Sequence, residues 1–278
     1  MKWIGRRESG NVEDRRGGSG GRIAAGGGIG ALVLAAIVYL LGGDPSQVLP
    51  TETTAPQEQS AEAQTEDNQF AKYLKVVLAD TEDVWDSLFA ANGKQYQHPG
   101  LVIFSGQDQS GCGPADAGMG PFYCPADNKI YIDLSFVQEL RDRFGAKQGD
   151  FPIAYVLAHE VGHHVQYLLG VTQKTSRLRQ QLSSTEYNKV SVQVELQADF
   201  YAGIWTHYNQ KMKNVLEPGD IEEALSAASA VGDDKIQEKT RGSIQPDLFT
   251  HGTAAQRMEW FNKGYNTGDL SQTITVGN

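Results

Sequence analysis

The segment His159-Glu160-Val161-Gly162-His163 constrains this chain more than any other. On a helix, histidines four residues apart share one face, so their imidazoles can grip a single divalent cation. Glu160 then stands beside that cation, placed to take a proton from water. This spacing and chemistry point to zinc-dependent hydrolysis of a peptide bond. The surroundings predict the helix: Asp150 as N-cap, Pro152 in the first turn, apolar residues at Ile153, Val156, Leu157, Val161, Val165 and Leu168, and Gly170 as the stop. The competing reading is a core helix whose histidines are merely hydrogen-bonded.

A catalytic zinc takes three protein ligands and keeps a fourth position for water. The short-spacer pattern is excluded, because Gln166 stands where a glycine belongs and Leu169 where a third histidine belongs. The next candidates lie in Val194-Glu195-Leu196-Gln197-Ala198-Asp199, a second helical stretch. Glu195 and Asp199 are four apart and point the same way, flanked by Val192, Leu196, Phe200 and Ile204. Glu195 as ligand with Asp199 accepting a histidine N–H is the economical assignment, and the reverse stays open. His207, three turns beyond Glu195, reads as structural. His164 is offset from the metal face and reads as packed or hydrogen-bonded nearby, and His98 beside Pro99 reads as a loop residue.

His159–His163 followed by Glu195-Leu196-Gln197-Ala198-Asp199 resembles the H-E-x-x-H plus E-x-x-A-D pattern of gluzincins. More broadly, the chain is similar to the YpfJ-like neutral zinc metallopeptidase family. Segments carrying that similarity include Ser110-Gly111-Cys112-Gly113, Gly120-Pro121-Phe122-Tyr123-Cys124-Pro125, Tyr131-Ile132-Asp133-Leu134-Ser135-Phe136 and His251-Gly252-Thr253-Ala254-Ala255-Gln256-Arg257. The resemblance implies a gluzincin-like fold, zinc as cofactor and Glu195 as third ligand. It also makes His251 and Arg257 candidate catalytic residues that stabilise the oxyanion, with an ion pair or helix contact the alternative for each, and an edge strand beside the cleft the receiver of substrate. Lys129–Leu134 is the candidate for that strand.

The ends of the chain suggest a location. From Ile23 to Gly43 there is no charged residue, and 21 helical residues span about 32 Å, enough for a hydrocarbon core. Six Lys and Arg residues precede this run against three acids, so the positive-inside rule predicts a single-pass bacterial inner-membrane anchor. Its N-terminus would be cytoplasmic and its catalytic domain periplasmic or extracellular. No small-x-small site follows to suggest a cleaved signal peptide. Gly26, Gly27, Gly28 and Gly30 do not form a phosphate loop, since no lysine follows. Gly26 and Gly30 form a G-x-x-x-G that could pair two copies weakly.

The predicted organisation is therefore a basic cytoplasmic arm at 1–22, a transmembrane helix at 23–43, a disordered linker at 44–68 and a zinc metallopeptidase domain at 69–278. Cys112 and Cys124 are the only cysteines, and their short glycine- and proline-rich loop predicts a disulfide in an oxidising compartment. The net charge is −10, and the arm contributes +3, leaving −13 for the remainder. So acidic a domain argues against nucleic-acid binding, while the arm could meet anionic headgroups.

Periodicity predicts helices at Gln69–Ala91, Leu134–Phe144, 151–169, Ser176–Tyr187, Glu195 to about Met212, Pro218–Val231 and Thr253–Lys263, with a loose tail after Gly264. Strands are expected at Leu101–Phe104 and Lys129–Leu134, the latter with Tyr131 facing out. The fold class is α+β, dominated by helix, with a small sheet over the metal helix. The expected function is a membrane-anchored peptidase cleaving protein or peptide substrates in the cell envelope. Competing readings are a zinc-binding adaptor without activity, against which an intact Glu160 argues, and a zinc amidase acting on wall peptides.

Overall fold

A computed structural model describes residues 1–16, 61–136, 139 and 149–277. The Ile23–Gly43 run, the Gly26/Gly30 pair and most of the expected Leu134–Phe144 helix lie outside the described residues. Among the described residues no helix is long and apolar enough to cross a membrane.

The elements are β1 (Val12–Asp14), α1 (Ala61–Ala91), β2 (Gly100–Phe104), β3 (Gln107–Ser110), β4 (Gly113–Asp116), β5 (Phe122–Cys124), β6 (Lys129–Asp133), α2 (Phe151–Leu168), α3 (Val171–Gln181), α4 (Ser184–Lys213), α5 (Asp220–Ala230), α6 (Asp233–Arg241) and α7 (Ala254–Thr267). One sheet has the order β1-β2-β6-β5, and β3 pairs with β4 in a separate hairpin. The first three strands run parallel, whereas β5 is antiparallel to β6.

Side chains alternate across this sheet as the period of two requires. Leu101, Ile103, Ile130 and Ile132 face the main core with Leu157, Val161 and Val165 of α2. Val102, Phe104 and Tyr131 face the other way into a second cluster with Ala115 and Cys124. Tyr131 was expected to face solvent, yet it is buried. Hairpin β3–β4 covers that face, and the predicted disulfide Cys112–Cys124 ties the hairpin to β5.

Several sequence expectations need correction. The first 16 residues are part of the folded domain, and not a separate arm. β1 pairs with β2, Met1 reaches the main core, and Trp3 stacks edge-on against Tyr73. Residues 61–68, read as linker, belong to α1. Asp150 makes no capping bond to α2; its carboxylate accepts from Trp3 Nε1, and Glu223 Oε2 instead accepts from the Phe151 N–H. The expected Ser176–Tyr187 helix breaks at Leu182–Ser183, where a Ser183–Glu186 capping box starts α4. The tail is not loose: Gln197 Nε2 donates to the Ile274 carbonyl, and Val276 is buried.

Two glycine contacts set the helix positions around the site. A Cβ on Gly162 would lie 2.9 Å from the Ala198 carbonyl oxygen, so α2 and α4 meet there at backbone contact. A Cβ on Gly203 would run into the Phe261 carbonyl oxygen, so α4 and α7 also cross at backbone contact. The first contact brings Glu195 to the histidines, and the second brings Arg257 to Asp199.

Candidate metal centre

His159, His163 and Glu195 offer ligand atoms that all lie within 4.8 Å of one another. His159 Nε2 is 3.1 Å from Glu195 Oε2 and 3.2 Å from His163 Nε2, and His163 Nε2 is 3.5 Å from Glu195 Oε1. The opposite ring nitrogens are both committed. Asp199 Oδ1 stands 2.8 Å from His159 Nδ1, and a carboxylate can only accept, so Nδ1 carries the hydrogen. Gln166 spends its amide N–H groups on the Val194 carbonyl and Gln197 Oε1, leaving its Oε1 to accept from His163 Nδ1 at 2.9 Å. Two imidazole lone pairs and a carboxylate thus converge on one point.

Such a cluster requires positive charge at its centre. Burial disfavours a charged His159, but Asp199 and Glu195 outweigh it and hold the imidazolium up to a pKa of about 10. Glu195 is held well below the ordinary carboxylate range: burial opposes this, and His163 and His159 overcome it. The N, N, O donor set, with both histidines oriented from behind, fits zinc. His159, His163 and Glu195 are the residues that would hold it.

Behind this centre lies a buried polar cluster. Asp199 is fully buried and accepts from Tyr155 Oη at 2.5 Å, from Arg257 Nε at 2.8 Å and from Arg257 Nη2 at 3.0 Å. Burial raises its pKa, but Arg257 and His159 more than compensate, leaving it at about 2. Arg257, a candidate for the oxyanion or for an ion pair, lines the same cavity and engages Asp199 behind His159. His251 does line the cavity that contains His159, Glu160 and Glu195. Its Nδ1 lies 3.2 Å from Asp233 Oδ1, and that bond raises its pKa above the usual histidine value.

Glu160 is buried in the same cavity, and burial pushes its pKa above the ordinary value while both histidines and the Tyr123 backbone N–H pull it down. Tyr123 belongs to β5, the edge of the sheet. This corrects the expectation for Lys129–Leu134, because β6 lies between β2 and β5, which pairs with it over Lys129–Tyr131. The cavity, about 660 Å³, runs along β5 past Met119, Phe122 and Tyr123 and reaches Tyr187 and Val194 opposite. His164 packs beneath the strand, its Nδ1 3.1 Å from Tyr123 Oη and its Nε2 donating to the Gln97 carbonyl. His207 donates to the Tyr265 carbonyl, and His98 meets Asp86.

Tyr155, Gln166 and Asp233 escaped the sequence reading. Gln166 had a local signal, since it lies three residues after His163 on one helix. Tyr155 sits four before His159 and was similarly placed. Asp233 had none, being 18 residues from His251.

A sequence model of the family described as "Putative neutral zinc metallopeptidase" matches residues 1–276. YpfJ of Escherichia coli strain K12 is 46% identical over 286 residues, covering 100% of this chain and 99% of that protein. Rv2575 of Mycobacterium tuberculosis strain H37Rv is 43% identical over 248 residues, 83% of this chain and 82% of that one. No solved structure matches. With the match running through the metal helix, the Glu195 helix and the Arg257 helix alike, the chain belongs to the neutral zinc metallopeptidase family.

Proposed function

We propose that this protein hydrolyses peptide bonds in the cell envelope with zinc held by His159, His163 and Glu195. The carrying observation is the convergence of both Nε2 atoms with the Glu195 carboxylate, each imidazole fixed from behind, and Glu160 beside them. When bound, zinc supplies Lewis acidity at a scissile carbonyl and lowers the pKa of water. Glu160 takes the proton from the attacking water and delivers it to the leaving amine, a role served by its raised pKa. His251, held by Asp233 at the cavity wall, donates to the developing oxyanion. Asp199, Gln166 and Arg257 hold the ligands in place. An extended peptide lies against β5, whose outer edge is unpaired among the described residues.

The membrane part of this reading rests on the sequence: the uncharged Ile23–Gly43 run attaches the domain to the cytoplasmic membrane. The Cys112–Cys124 disulfide supports a domain on the oxidising, outer face. The test is cleavage of an unfolded protein and of purified wall peptides by wild type and by Glu160→Gln. The variant should keep its zinc and lose turnover. Equal behaviour of the two proteins on both substrates would sink the enzyme reading and leave a zinc-bearing adaptor. Loss confined to the wall substrate would make the enzyme an amidase.

A further inference from the structure

Glu82 on α1 is only 2% exposed, and its carboxylate accepts hydrogen bonds from three residues of the first sixteen: Arg7 Nη1 at 3.0 Å, Ser9 Oγ at 2.5 Å and Asn11 Nδ2 at 2.7 Å. Its other neighbour, His98, is 3.9 Å away. Asp80, equally buried, takes Arg6 at 2.6 Å. The main chain joins the same body, with the Leu101 N–H donating to the Asn11 carbonyl and the Arg15 N–H to the Ile103 carbonyl. The Ser9 N–H donates to the Lys75 carbonyl. A domain built to stand without this segment would not bury a carboxylate whose donors all come from it.

Four of the six cations before the apolar run are paired with acids in the process. Arg6 pairs with Asp80, Arg7 with Glu82 and Asp83, Arg15 with Glu13 and Asp108, and Arg16 with Asp14. Lys2 donates to the Asn214 carbonyl, and Arg22 lies outside the described residues. The apolar run follows directly, and 44–60 beyond it contains Asp44, Glu52 and Glu58, with no second apolar run to bring the chain back. One crossing by 23–43 would therefore part the arm from the domain that holds it.

We propose that residues 1–16 stay docked in the membrane-attached protein, so that the arm and the catalytic domain lie on one face of the bilayer. The inference rests on the attachment reading above and replaces the single-pass arrangement that positive charge alone predicts. Insertion begins before Asp80, Glu82 and Asp83 are synthesised, so charge counting sees an arm that the finished domain neutralises.

Both native cysteines are paired, so a maleimide reports only an added thiol. Gly10 and Lys94 are exposed, and Gly10 has open space around its Cα. Full-length Gly10→Cys and Lys94→Cys proteins would be labelled with a membrane-impermeant maleimide in sealed spheroplasts and in inverted vesicles. The expected result is that both thiols react in the same preparation and are protected in the other. Reaction in opposite preparations overturns the shared face while leaving attachment intact. Recovery of the wild type in the soluble fraction instead overturns attachment, and the inference with it.

Discussion

Asp199 Oδ1 lies 2.8 Å from His159 Nδ1, on the side of the ring opposite the nitrogen that meets Glu195. One carboxylate four residues after another on α4 thus grips the same imidazole from behind. This fixes the tautomer and aims Nε2 at the cation position. Because the metal-free His159 keeps its proton to about pH 10, zinc uptake near neutrality must release that proton, and affinity should rise with pH.

Gln166 does for His163 what Asp199 does for His159, without a charge. Replacing it with Met removes the acceptor from His163 Nδ1, and zinc affinity should fall about 10–100-fold. Competition against a zinc chelator measures this directly. Unchanged affinity would mean that His163 is oriented by packing alone.

Arg257 closes both oxygens of Asp199, and neither partner is exposed. Arg257→Met should leave a buried carboxylate short of its main donor and destabilise the domain by about 3–5 kcal/mol. Arg257→Lys should recover little, since an ammonium cannot reproduce the two-pronged contact. Urea midpoints with and without zinc would show both losses. A donor to the oxyanion would behave otherwise, lowering kcat with stability and zinc occupancy intact.

The parts of the site set by spacing along one helix were legible in the sequence. His159 and His163, then Glu195 and Asp199, follow from a four-residue interval, and the Cys112–Cys124 pair from a short loop. What was hidden depends on packing between distant elements. Ser9 and Glu82 are 73 positions apart, Tyr155 and Asp199 are 44, and no periodicity links them. The arm illustrates the failure most clearly: Arg6 and Arg7 looked like headgroup contacts because their carboxylate partners sit on α1, beyond the apolar run. β6 misled for a related reason. Its alternation was real, but the covering hairpin and the edge strand β5 are too short to announce themselves.

His164 makes stability depend on pH. Burial lowers its pKa to about 4, outweighing the Gln97 carbonyl, which pulls the other way. An unfolded histidine takes up a proton below about 6.5, whereas the folded one does not until about 4. Stability should therefore drop as pH falls through that window, by up to about 3 kcal/mol. Glu160, raised by burial, works in the opposite sense, so the difference between wild type and His164→Gln isolates the histidine. Denaturant midpoints from pH 7 to 4.5 should converge for the two proteins. Parallel curves would show that His164 takes up its proton alike in the folded and unfolded states.

Glu82 supplies a test whose sign changes with context. In the full chain its charge meets Arg7, Ser9 and Asn11, so Glu82→Gln should destabilise by about 1–3 kcal/mol. Replacing Ser9 and Asn11 with Ala removes two of its donors and should cost more, about 2–4 kcal/mol for a charge left buried. In that background Glu82→Gln should become neutral or stabilising, because a neutral amide loses less by burial than a carboxylate. Urea denaturation of the four proteins closes the cycle. If Glu82→Gln costs the same in both backgrounds, the arm's contacts are incidental to the stability of the domain.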